Sequence, residues 1–81
     1  MTSTSRNLAP LLVAQALKID VSLLSPQDRI GSIPEWDSLA QLEIVEAIEE
    51  YIGLEIMDDQ TFDRLTSIRG IELYLEEHGH G

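Results

Sequence analysis

The segment from Ser38 to Ile52 constrains the fold most, because its apolar residues recur at the spacing of an α-helix. Ser38 and Gln41 match the capping-box pattern at its start, and Gly53 follows it as a typical C-cap residue. One side of the helix gathers the predicted core residues, which are Ile44, Val45, Ile48, Tyr51 and Ile52. The segment therefore predicts an amphipathic helix over 38–52 with one buried face.

Three other segments also predict helices. The first covers 7–18, with Asn7 as its cap and Pro10 in the first turn, where no backbone N–H is needed. A short helix over 58–63 is capped by Asp58, and the last helix covers 67–77 with a buried stripe. No segment alternates like a strand. We expect an all-α four-helix bundle, three main helices and one short one, in a single domain over 1–81 with disordered ends at 1–5 and 78–81.

A long connection spans residues 19–37. Its spaced apolar residues are predicted to pin it to the core; they are Val21, Leu24, Ile30 and Ile33. Loops of this length in small domains are often functional. Trp36 near its end is interpreted as a ring packed on the core, ahead of two alternatives, a lid over the loop and a contact for a ligand or partner.

The charge balance excludes several classes of partner. The 81 residues carry a net charge of −10, and residues 35–63 hold ten acids and no base. Nucleic acids and anionic membranes bind through Lys and Arg, so neither is expected as a partner. No cysteine is present for a disulfide, and no leader or membrane span is evident, which favours a cytoplasmic monomer.

Two leucines depart from the amphipathic pattern of the 38–52 helix. Leu39 and Leu42 lie on its acidic side, where the remaining members are Glu43, Glu46, Glu49 and Glu50. Exposed leucines at i and i+3 ringed by glutamates suggest a docking surface, since the acids steer a basic partner and the leucines supply apolar contact. Mutual repulsion between Glu46 and Glu50 at i and i+4 would be relieved by such a partner or by divalent cations.

Ser38 is the residue that carries the functional interpretation. A helix N-cap is the plain explanation for a serine at this position. A catalytic nucleophile is disfavoured, because the only histidines lie in the tail, the lone lysine is Lys18, and no Gly-x-Ser-x-Gly motif occurs. The tripeptide Asp37-Ser38-Leu39, the acidic helix after it and Thr66-Ser67-Ile68 at the start of the last helix together resemble the acyl carrier protein family, over about residues 9–75.

This resemblance implies that Ser38, preceded by Asp37, carries a covalent 4′-phosphopantetheine cofactor added by a phosphopantetheinyl transferase from coenzyme A. The chain would then be a carrier and not an enzyme. It would hold an acyl or aminoacyl thioester for a loading ligase and for a downstream transferase or synthase with basic docking patches. By position, the family's docking residues correspond to Leu39, Glu43, Glu46 and Glu49.

The chain departs from the fatty-acid carriers of the family at Glu35-Trp36-Asp37, where a Gly-x-Asp pattern is common, and at Ala40 and Glu46. These departures favour a stand-alone carrier of a dedicated pathway, with polyketide, modified-lipid or aminoacyl cargo. The alternative is an acidic helical interaction module without a prosthetic group. Calcium binding is disfavoured, because no Asp-x-Asp-x-Asp-Gly loop is present, and no metal ligands are assigned.

Overall fold

The computed structural model describes residues 4–78, with side chains from Leu8 onward, and it is all-helical with no strand in this range. Helix α1 spans Thr4–Leu17, a 3₁₀ helix spans Val21–Leu23, α2 spans Ser38–Ile52, α3 spans Asp59–Arg64 and α4 spans Ile68–Glu77. Three main helices and one short helix match the predicted bundle. In the described part of the chain, no helix is both long and apolar enough to cross a membrane.

Helix α1 begins earlier than predicted. It starts at Thr4, so the prediction that Asn7 caps it is wrong, and Pro10 lies inside the helix instead of in its first turn. Thr4 and Ser5, predicted to be disordered, belong to this helix, whereas 1–3 and 79–81 lie outside the described residues. Its buried residues include Ala9, Leu12, Val13 and Leu17.

Helix α2 has the predicted bounds, but its cap differs. Asp37, in an extended conformation, accepts a hydrogen bond from Ala40 N at 2.8 Å, so Asp37 and not Ser38 is the N-cap. The predicted capping box is therefore wrong, and Gln41 is buried. Gly53 ends the helix with φ 76°, in the left-handed region.

Most of the predicted core of α2 is buried. Ile44, Val45 and Ile48 are buried, and Ile52 packs partly against them. Tyr51 is the exception, with 47% of its surface exposed, so its predicted place in the core is wrong. It falls at the edge of the apolar stripe, where a small rotation of the helix decides burial.

Helices α3 and α4 contact each other through Arg64, both by its side chain and by its backbone carbonyl. Asp58 caps α3 as predicted, accepting hydrogen bonds from the N–H and hydroxyl of Thr61, both at 2.8 Å. Arg64 forms two hydrogen bonds with Glu77 on α4, which hold the pKa of that carboxyl below its ordinary value. A Cβ on Gly70 would collide with the Arg64 carbonyl oxygen, so the glycine allows the end of α3 to lie close to α4.

Helix α4 matches its predicted stripe, with Ile68, Ile71 and Leu75 buried, and Tyr74 joins them. Ser67 is the N-cap, with its hydroxyl accepting a hydrogen bond from Gly70 N at 3.0 Å. His78, assigned to a disordered tail in the sequence analysis, is the C-cap of the helix.

The long connection is fixed to the start of α4 by backbone hydrogen bonds. Ile30 N donates to Thr66 O at 2.8 Å, and Ile68 N donates to Asp28 O at 3.1 Å. Ile30 packs against the core as predicted, and so do Leu24 and Ile33. Val21 does not, because the 3₁₀ helix that contains it has no buried residue. The loop is thus an ordered support for the residues that follow it.

Candidate functional site

Ser38 is the first residue of α2, and it is exposed. Asp37 already satisfies Ala40 N through its side chain and Gln41 N through its carbonyl oxygen, at 2.8 and 2.9 Å. Within the described part of the chain, neither the Ser38 hydroxyl nor the N–H groups of Ser38 and Leu39 have a hydrogen-bond partner. The hydroxyl is therefore available for modification without loss of the helix cap.

A buried polar bridge positions this start of α2. The Trp36 ring is fully buried, and its Nε1–H donates to Gln41 Oε1 at 2.7 Å. Gln41 Nε2 in turn donates to Leu65 O at 2.8 Å, at the end of α3. The two bonds fix the orientation of the amide, because an indole N–H only donates and a carbonyl oxygen only accepts. Trp36 and Gln41 flank Ser38 in sequence, so the bridge holds the turn that presents the serine.

The bridge settles the interpretation of Trp36 and adds a residue that the sequence analysis missed. Trp36 packs in the core, which confirms the favoured interpretation over a lid or a ligand contact. Gln41 is the only buried polar residue in the described part of the chain. Its position on the core side of α2, in line with Ile44, Val45 and Ile48, was the available signal in the sequence.

In the described part of the chain, two surface grooves between α1 and α2 share Lys18. The first, of about 250 Å³, lies next to Ser38 and includes Lys18, Glu35, Asp37, Leu39 and Glu43 in its walls. The second, of about 450 Å³, shares Lys18 and Glu43 and is lined further by Glu46 and Glu50. Among the residues that the structure describes, no histidine lines either groove, so no imidazole base is found there.

The predicted docking residues of α2 mostly lie on its exposed side. Leu39 is 69% exposed and Leu42 is 50% exposed. The acidic residues Glu43, Glu46 and Glu50 are exposed as well. We call this set of five residues the acidic face. Exposed leucines beside clustered carboxylates provide an apolar contact area within a negative field.

Glu49 differs from the other predicted docking residues. It is half-buried, and its Oε2 accepts a hydrogen bond from Ile56 N at 2.8 Å. This bond ties the segment after α2 back to the helix, so the carboxylate already has a structural partner. Elsewhere in residues 4–78, no three His, Cys, Asp or Glu side chains are grouped so that they could hold a metal ion.

Fold and site together define a class of protein, a small acidic helical bundle that displays a free serine hydroxyl at the start of an acidic helix. No protein-family model matches the chain. An acyl carrier protein of Streptomyces coelicolor is 37% identical over 70 residues, which cover 86% of this chain and 75% of the relative. Acyl carrier proteins of Helicobacter pylori and Helicobacter hepaticus are 27% and 28% identical, over 83% and 80% of this chain and 85% and 84% of the relatives.

The chain belongs to the acyl carrier protein family. A carrier role follows from that membership, and the family as a whole implies a phosphopantetheine prosthetic group. The resemblance noted at Asp37-Ser38-Leu39 is thereby confirmed at the level of the family.

Proposed function

We propose that Ser38 carries a 4′-phosphopantetheine arm and that the chain presents an acyl or aminoacyl group on it, as a thioester, to partner enzymes. The observation that supports this most directly is the exposed Ser38 hydroxyl, which is released from helix capping by Asp37. If the serine oxygen were the N-cap acceptor, esterification would weaken its hydrogen bond with the backbone N–H of the first turn. Here the helix keeps its cap whether or not the serine is modified.

The residues around Ser38 fit the chemistry of the arm. In the modification, the serine oxygen forms a bond to phosphorus and the pyrophosphate bond of coenzyme A breaks. Adenosine 3′,5′-bisphosphate leaves, and the hydroxyl proton passes to a base supplied by the transferase or to water. The resulting phosphodiester is an anion, and the unpaired N–H groups of Ser38 and Leu39 at the helix N-terminus favour a negative charge there. The group itself supplies the thiol, which a chain without cysteine does not have.

The acidic face is the proposed docking surface for the phosphopantetheinyl transferase, for a loading ligase and for a downstream transferase or synthase. Carboxylates accelerate encounter with a basic patch, whereas the two exposed leucines provide the area that is desolvated on contact. We assign Glu49 a smaller part in docking, because its carboxylate is engaged with Ile56 N.

The departures at Glu35, Trp36 and Ala40 support a dedicated pathway instead of housekeeping fatty-acid synthesis. Trp36 is fully buried in the core and bonded to Gln41, so we do not expect it to contact cargo or partner. We further propose that the carrier is not itself an enzyme and acts as a cytoplasmic monomer, without nucleic-acid or membrane partners. The net charge of −10 supports the last point.

The attachment site is tested by intact-mass measurement after co-expression with a promiscuous phosphopantetheinyl transferase. We expect one phosphopantetheinyl group on the wild-type protein and none on Ser38→Ala. Ser32→Ala, at another exposed serine, is the matched control and should be modified in full. An unmodified wild-type protein, or a group attached elsewhere, would reject the proposal and favour the interaction module without a prosthetic group.

The docking surface is tested by the rate at which the same transferase modifies each variant. We expect Leu39→Ala and Glu46→Lys to lower kcat/KM by about tenfold, equivalent to about 1.4 kcal/mol, with unchanged helicity. Matched controls are Leu73→Ala, at a half-exposed leucine on α4, and Asp63→Lys, at an exposed acid on α3. Equal effects at test and control positions would show that only overall charge and apolar area matter.

A further inference from the structure

Lys18 has an unusual backbone conformation at the end of α1. Its φ is 61°, in the left-handed region that favours glycine, and no other non-glycine residue described has a positive φ. The turn is closed by hydrogen bonds from Lys18 N to Gln15 O at 3.3 Å and from Ile19 N to Ala14 O at 3.1 Å. A lysine therefore occupies a position where the backbone would be less strained with glycine.

The surroundings of this lysine are acidic. Lys18 is the only lysine of the chain, and it lies in the walls of both grooves between α1 and α2. In the groove next to Ser38 it is the only basic residue, among Glu35, Asp37 and Glu43. Within the described part of the chain it nevertheless forms no ion pair. The groove thus contains a cationic side chain that none of its own carboxylates engages.

Ser38 is not itself in the walls of this groove, but the residues on both sides of it, Asp37 and Leu39, are, so a phosphodiester on Ser38 would add a permanent negative charge at the edge of the groove. The flanking carboxylates repel that charge, and Lys18 is the basic side chain available there to balance it. An ammonium group forms strong charge-assisted hydrogen bonds with phosphate oxygens. The position of Lys18 therefore matches a requirement that arises only after modification.

We propose that the ammonium group of Lys18 pairs with the phosphodiester of the arm and holds the start of the arm against the groove between α1 and α2. This inference rests on the proposed modification of Ser38. Lys18 is then a positioning residue, which leaves the thiol end of the arm free. A lysine near a helix C-terminus also interacts favourably with the last carbonyl groups, but that interaction does not depend on the arm.

The test compares apo and holo protein by NMR with ¹³C,¹⁵N-lysine labelling, which gives one side-chain signal set because the chain has one lysine. We expect the ¹³Cε and ¹⁵Nζ signals of Lys18 to shift on modification and the side chain to lose nanosecond mobility. The shift should disappear as the salt concentration rises from about 10 mM to about 1 M, since the pair is exposed to solvent. Identical Lys18 signals in apo and holo protein at low salt would overturn the proposal.

Variants of the holo protein give a second readout, the ³¹P signal of the arm. We expect Lys18→Gln to shift this signal and Lys18→Arg to keep it near the wild-type position. Arg69→Gln, which removes one exposed positive charge on α4, is the matched control and should leave the signal unchanged. Equal shifts in Lys18→Gln and Arg69→Gln would overturn the ion pair in favour of a general effect of net charge.

The outcomes also separate this inference from the proposed function. Absence of the group from Ser38 by intact mass rejects both. A modified Ser38 with Lys18 and ³¹P signals that do not respond rejects the ion pair alone. The Lys18→Gln variant could also be modified more slowly while the Lys18 and ³¹P signals do not respond. That outcome would reject the ion pair and would indicate that Lys18 contacts an acidic group on the transferase.

Discussion

Replacing Gln41 with methionine tests the polar bridge beneath Ser38. Methionine is similar in size and keeps helix propensity, so the change mainly removes two hydrogen bonds. Trp36 Nε1–H and Leu65 O, now bonded to the amide at 2.7 and 2.8 Å, would lose their partners in the buried interior. Each unpaired buried group costs about 1–3 kcal/mol, which sets the scale of the effect.

The two groups together give a loss of about 2–6 kcal/mol, and burial of the more apolar side chain offsets roughly 1–2 kcal/mol of it. We expect a net decrease of about 1–4 kcal/mol in the free energy of unfolding. A chain of 81 residues has a total of only about 4–12 kcal/mol. The substitution should therefore lower Tm by roughly 5–30 °C.

The assay is urea unfolding followed by two signals, the fluorescence of Trp36, the single tryptophan, and the helical circular dichroism. Gln15→Met, at an exposed glutamine on α1, is the matched control and should stay within about 0.5 kcal/mol of wild type. If Gln41→Met were as stable as this control, the bridge would not hold the start of α2, and the reasoning from unpaired groups would fail.

Two further changes test other parts of the bundle. Gly70→Ala should lower the unfolding free energy by about 1–3 kcal/mol, measured in urea, because the added methyl group meets the Arg64 carbonyl oxygen; helix propensity alone would predict a gain. Hydrogen bonds from Thr61 lower the pKa of Asp58 below 3.8, so its contribution to stability is present above about pH 4 and is lost as the pH falls through the folded-state pKa. Asp58→Asn should therefore reduce the fall of the urea unfolding midpoint between about pH 5 and pH 2, and reduce it more than Asp59→Asn does. Equal pH profiles for the two variants would contradict this role of Asp58.

Local patterns predicted much of the fold. The bounds of α2 were predicted correctly, because its apolar stripe ends directly before Gly53. Helical periodicity and a glycine C-cap both depend only on residues close together in sequence. The cap at its start was misassigned, since Asp37 and Ser38 are adjacent residues that both form caps. The backbone conformation of Asp37 decides between them, and that conformation follows from the loop before it.

Features that depend on contacts between distant segments could not be predicted. Gln41 is buried with a polar partner 24 residues away, and no local pattern indicates where the Leu65 carbonyl lies. Glycine is unfavourable within a helix, and the reason for Gly70 is evident only from the end of α3 that packs against it. The acidic face was predicted because helical periodicity alone defines it, whereas the groove with Lys18 requires the packing of α1 against α2.

The anchoring of the long connection affects where the domain tolerates added sequence. Residues 19–37 form the longest segment between main helices, yet its backbone bonds to the start of α4 mean that an insertion near Ile30 would displace two helix starts at once. The shorter stretch around Leu54 and Met57 is exposed, and the hydrogen bond from Ile56 N to Glu49 Oε2 holds it to α2. A peptide tag or fusion partner is therefore expected to be better tolerated at 54–57 than near Ile30.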